Sequence, residues 1–181
     1  MTLPTLGERL GVRRPMDAGQ SRTLTYGEWA SLSTGLAEAL RWADCTPTIV
    51  AGPALGARIA RLWRRSVPVM VWRNCIYWPG ALEDFSAPGD ERSMALLQHE
   101  LQHVLEFASG QLTAARYALN PKNWRYRYRL DAHSRWLQFG AEQRASIVEH
   151  LWLIERGLAG TGASEHHRRV IPWANSFHLG D

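Results

Sequence analysis

The chain has 181 residues, 45 % hydrophobic and 21 % charged, which is enough apolar material for one packed domain and excludes global disorder. No apolar run reaches the ~18 residues needed to cross a bilayer, and the first twenty residues carry Arg9, Arg13 and Arg14 without the apolar stretch of a secretory signal. The formal charge of +4 invites a nucleic-acid partner, but twenty of the 21 basic residues are arginines scattered along the chain, so charge alone is a weak argument.

In chain order, residues 1–21 read as a loose arm punctuated by Gly, Pro and Arg. Residues 26–43 place Trp29, Leu32, Leu36, Ala39 and Leu40 at helical spacing, with Thr25 as N-cap. A short strand is expected at 46–51, then a helix at 53–65 that opens on a proline. VPVMVW (67–72) and CIYW (75–78) read as paired strands, and 79–91 as turns. The clearest helix spans 92–109, capped by Asp90 and stopped by Gly110. Residues 110–130 read as irregular, 140–157 as a final helix, and 158–181 as an extended tail. The expected organisation is α+β: an arm (1–21), one domain (22–157) with a small sheet packed on the first long helix, and a tail (158–181).

His99-Glu100-Leu101-Gln102-His103 is an HExxH sequence within that clearest helix. Histidines four residues apart lie one turn apart on one face, so both imidazoles can reach a single ion. The Glu beside the first His can then act as general base toward a water polarised by the metal. Met94, Leu97, Leu101, Val104, Leu105 and Ala108 form an apolar stripe, with His99 and His103 on the opposite side, as suits a helix lining a cleft. A solvated helix face with two ordinary histidines would show the same letters. A zinc site needs a third protein ligand. The third His of HExxHxxGxxH is absent, since positions 106 and 109 are Glu106 and Ser109. A carboxylate from the 140–157 helix is the alternative. Glu142 and Glu149 lie two turns apart on nearly one face of it, and spacing does not choose between them.

LLQHELQHV (96–104) resembles the LxHExxHV core of zincin-type metallopeptidases. The wider pattern resembles a bacterial metallopeptidase-like core domain associated with contractile injection systems and Rhs/Vgr-type proteins. RTLTYGEWA (22–30) is similar to that family's LTxxE opening helix, and CIYWPG (75–80) to its upstream strand. YRYRLDAHSRWLQFGAEQRASIVEHLW (126–152) is similar to a YxYxL…F…EQQAxIV block of Vgr-related members. The resemblance covers residues 22–157. It implies a gluzincin-like zinc site with His99, His103 and Glu142 as ligands and Glu100 as base; Glu149, two turns along nearly the same face as Glu142, is then expected behind the ligands. Two positions depart from the pattern: Ser146 stands where many gluzincins carry Asp, and Gln102 replaces a small polar residue.

RYRYRL (125–130) reads first as a strand, with Arg125, Arg127 and Arg129 on one face and Tyr126 and Tyr128 on the other. Tyr126 or Tyr128 could alternatively donate to the oxyanion of a tetrahedral intermediate. Trp42, Trp63, Trp72, Trp78, Trp124, Trp136 and Trp152 sit beside apolar positions and are expected to pack the core or rim the cleft. His150 reads as a helix-surface residue, and His166-His167 as part of a flexible tail. Cys45 and Cys75 are expected as buried free thiols. The functional expectation is a zinc peptidase acting on peptides or proteins, with a secretion-apparatus partner and no nucleic-acid or membrane partner. It would be cytoplasmic, or exported by a signal-less system. The alternative is a non-catalytic zincin-fold binding module, which has no need of a base such as Glu100.

Overall fold

The computed structural model of the chain describes residues 14–54, 68–159 and 164–174. The helix expected at 53–65 and Trp63 therefore fall outside the described residues, apart from positions 53 and 54. Four strands form one sheet in the order β1-β2-β4-β3: β1 (Ser21–Thr23), β2 (Thr48–Ala51), β3 (Met70–Trp72) and β4 (Cys75–Trp78). The β2–β4 pair is parallel and the two outer pairs are antiparallel. Ile49 and Ile76, directly opposite each other, are both fully buried and anchor the sheet to the core. Six α-helices lie among the described residues, and the architecture is α+β. None of them is long and apolar enough to cross a membrane.

Residues 26–43 form two helices rather than one, α1 (Tyr26–Ser31) and α2 (Thr34–Trp42). Thr25 caps α1 through a reciprocal box with Glu28: the Glu28 amide donates to Thr25 Oγ1, and the Thr25 amide donates to Glu28 Oε2. The break falls at Leu32 and Ser33, both in extended backbone. Tertiary partners replace the lost helical bonds there. Trp152 Nε1 and Arg156 Nη2 donate to the Ser31 carbonyl at 2.8 and 2.7 Å, and the Ser33 amide donates to Gln98 Oε1 at 3.3 Å. The apolar period runs through the break because Leu32 stays buried.

The long helix α3 (Glu91–Ala108) ends at Gly110, whose φ of +71° closes the turn. Asp90 precedes it without capping through its side chain, and instead accepts from Ser93 Oγ. The expected apolar back is in place, with Met94, Leu97, Leu101, Val104 and Leu105 buried in the core, but the expected open front is not. Every residue from Leu97 to Glu106 is buried, histidines included. One side of α3 packs on β3 and β4 and the other on α5 (Ala141–Glu155), so its polar face meets a second helix instead of water. Between these helices the region expected to be irregular forms α4 (Ala114–Leu119) and a 3-10 turn (Pro121–Trp124). RYRYRL is not a strand; residues 125–130 join no ladder. The C-terminal segment is not an extended tail either, since α6 (Ser164–Val170) packs on α5 with His167 and Val170 buried. In the arm, the Met16 and Gly19 amides donate to the Ala81 and Ala51 carbonyls. Trp78, Trp136 and Trp152 are buried as expected, but Trp42, Trp72 and Trp124 are more than half exposed. Both cysteines are free and only partly buried.

The α3–α5 interface is pinned by a buried ion pair. Arg144 Nε and Nη2 donate to the two oxygens of Glu106 at 2.7 and 2.9 Å, and its Nη1 donates to the Phe139 carbonyl. Gln102 Nε2 donates to the same carboxylate. Arg144→Met alone is expected to cost about 3–5 kcal/mol, because it strands the Glu106 carboxylate in the interior, while adding Glu106→Met recovers most of the loss. Urea unfolding of both single variants and the double variant measures this; a double-variant loss equal to the sum of the two single losses would show that the side chains are not coupled.

Candidate metal centre

His99 and His103 face α5 from successive turns of α3, and the first turn of α5 answers with Glu142. That turn is built from outside the helix. Asn123 Oδ1 accepts from the Ala141 amide and its Nδ2 donates to the Arg116 carbonyl, tying α5 to α4. Gly140 lies so close to the Lys122 carbonyl that a Cβ would collide with it. Gln143 Oε1 accepts from the Gly140 amide and completes the start of the helix.

His99 Nε2 lies 3.0 Å and His103 Nε2 3.4 Å from the same Glu142 oxygen, Oε2. All three side chains are buried, and one ligand atom from each lies within 4.8 Å of the others, close enough to hold a metal ion. Glu149, two turns along α5, faces the other nitrogen of His99, Nδ1, at 3.1 Å. Both ring nitrogens of His99 therefore face a carboxylate, Nε2 that of Glu142 and Nδ1 that of Glu149, and the second contact fixes the orientation of the ring. His103 Nδ1 has no equivalent: it is buried without a hydrogen-bond partner among the described residues. Tyr117 of α4 donates to the second oxygen of Glu142 at 2.5 Å, leaving Oε2 for the histidines.

Burial by itself would lower the His99 pKa, but the hydrogen bonds to Glu142 and Glu149 outweigh it and hold the imidazole up to about 10. For Glu142 burial acts upward and is overcome by hydrogen bonds from His103 and His99, which keep the carboxylate well below its ordinary range. Glu100 is buried next to His99, and burial pushes its carboxyl up against the downward pull of the two histidines. The Tyr117 hydroxyl is pushed up by burial and by the Glu142 charge, so it remains a donor.

His99, Glu100, His103, Glu142 and Glu149 therefore come together. Of the two tyrosines singled out in the sequence, Tyr126 stacks on His99, with ring centroids 6.2 Å apart and planes 20° apart. Tyr128 turns elsewhere: its hydroxyl lies between His150 Nδ1 and His167 Nε2, so His167 is a buried, hydrogen-bonded residue and not part of a flexible tail. His150 is exposed on α5 as expected. Tyr117 was not foreseen, because a lone Tyr in ARYAL bears no spacing relation to the HExxH sequence. Comparisons with protein-family models, with curated proteins and with solved structures found no match to this chain.

Alanine at His103 or at Glu142 is expected to abolish retention of a divalent metal, whereas Glu149→Ala weakens it about 10–100-fold by freeing the His99 ring. Competition against a chromogenic chelator ranks the three; a larger loss at Glu149 than at Glu142 would move the ligand two turns along α5. Metal uptake also has to displace the His99 proton. Since that imidazole is protonated up to about pH 10, binding near neutrality should release about one proton. Apparent affinity should then climb about tenfold per pH unit until pH 10. Titration calorimetry in buffers of different protonation enthalpy reads the release directly, and buffer-independent heats would refute it.

Proposed function

We propose that the chain is a zinc-dependent metallopeptidase of the zincin type that hydrolyses peptide bonds in peptide or protein substrates. The observation that carries the reading is the convergence of His99, His103 and Glu142 on one point with Glu100 buried beside them. Ligands about 2.0–2.1 Å from a tetrahedral ion sit roughly 3.3 Å from one another. The 3.0 and 3.4 Å separations at Glu142 Oε2 match that edge, and two imidazoles with one carboxylate are a zinc donor set that leaves a fourth position open. The likeness of LLQHELQHV and of the 126–152 block to zincin metallopeptidases supports the same reading.

When bound, a zinc ion supplies a Lewis acid and brings a water's pKa down to about 7. The remaining work falls to side chains. Glu149 orients His99, and Tyr117 occupies the Glu142 oxygen that would otherwise compete for the ion. Glu100 takes the proton from the attacking water and delivers it to the leaving nitrogen. Burial pushes its carboxyl pKa up, in the direction of a proton-transfer group that works near neutrality.

Metal analysis of the purified protein should find about one zinc per chain. Glu100→Gln should retain that zinc and the fold while losing ~10²–10⁴-fold in hydrolysis of an unfolded protein substrate, because Gln keeps the shape and cannot take the proton. Equal turnover by the two proteins, or no turnover by a fully zinc-loaded wild type, would retire the peptidase reading.

A further inference from the structure

Residues 107–130 contain no acidic residue and five basic ones, Arg116, Lys122, Arg125, Arg127 and Arg129, more positive charge than the net +4 of the whole chain. This stretch also supplies both tyrosines that touch the metal centre, Tyr117 on Glu142 and Tyr126 on His99. Five of the chain's 21 basic residues therefore lie in the stretch whose tyrosines reach the site.

The part of it nearest the centre is firmly held. Gln143, the residue after Glu142, donates through Nε2 to the Arg127 carbonyl at 2.6 Å, and Arg169 donates to the Asp131 carbonyl. The Tyr128 hydroxyl is fixed between His150 and His167. With its backbone fixed, the loop presents Arg125, Arg127 and Arg129 as exposed side chains, and no acidic partner meets them among the described residues. The carboxylates of the centre do not offset them, since Glu142 and Glu149 are each engaged by a histidine.

We infer that residues 125–129 form a substrate rim that recruits peptides rich in Asp and Glu to the metal centre, an inference that rests on the peptidase reading above. Unpaired guanidiniums favour carboxylates, and a field of one sign beside a site raises the local concentration of oppositely charged substrate.

The test is fluorescence anisotropy with the zinc-loaded full chain carrying Glu100→Gln, so that bound peptides are not consumed. The probes are matched labelled peptides in which alternate residues are Glu or Gln, together with a single-stranded oligonucleotide of equal charge. The Glu peptide should bind about tenfold more tightly than the Gln peptide at low salt, and the gap should narrow in 0.5 M salt to roughly half or less on a logarithmic scale. Adding Arg125→Gln, Arg127→Gln and Arg129→Gln should bring the ratio to about one. The same three changes at exposed Arg14, Arg73 and Arg92 should leave the preference in place. A preference that survives loss of the three loop arginines overturns the inference, as does tighter binding of the oligonucleotide than of the Glu peptide. Wild-type turnover, measured separately, keeps the two readings apart. Preferential Glu-peptide binding without turnover retires the catalysis and keeps the rim, and turnover without charge preference retires the rim and keeps the catalysis.

Discussion

The Arg144 guanidinium is held between two helices with almost no access to water, and the relation of α3 to α5 depends on it. Its bidentate bond to Glu106 and its third bond to the Phe139 carbonyl satisfy a charge that would otherwise be very costly to bury. Arg144 is two residues past Glu142, and Glu106 is three past His103. The pair ties the two helices together in the register in which Glu142 lies against both histidines. A hydrophobic pair could supply as much stability, but its contacts would not forbid sliding by a turn.

The rest of the molecule supports this interface from two sides. The sheet backs α3 through β3 and β4. Its edge connects to α1 through fully buried Glu28, which binds Arg22 and the Phe85 amide as well as its own cap. On the other side, the stretch between the long helices sets the start of α5 through Asn123 and Lys122 and reaches Glu142 through Tyr117. The candidate ligands thus come from α3 and α5, while the groups that orient them come from α5 and α4, Glu149 on the one and Tyr117 on the other.

Burial gives these polar contacts their weight. Water would compete for each hydrogen bond at an exposed site, and the shifts at His99 and Glu142 would shrink. Here a proton between His99 Nε2 and Glu142 Oε2 occupies the place a cation would take, so a proton and a metal ion would compete for the same lone pairs. The exposed arginines of 125–129 lie just outside that enclosed region, where their charge acts at longer range and salt weakens it.

Local chemistry wrote the legible part of this protein into its sequence. The HExxH pair needs only one helical turn to bring two imidazoles together, the Thr25–Glu28 box and the Gly110 stop are completed within a few residues, and the strands at 48–51, 70–72 and 75–78 follow from short β-branched and aromatic runs. Partners distant in the chain decided the remainder. The break at Leu32–Ser33 is stabilised by Trp152 and Arg156, more than a hundred residues away. RYRYRL has the alternation of a strand, yet His150, His167 and Gln143 take its polar groups and no neighbouring strand competes for them. Between Glu142 and Glu149 spacing was silent, because both lie on one face of α5. Only the packing of α5 on α3 sets one carboxylate at the meeting point of two Nε2 atoms and the other at the far nitrogen of His99, and that packing is fixed by a buried charge pair whose members are 38 residues apart.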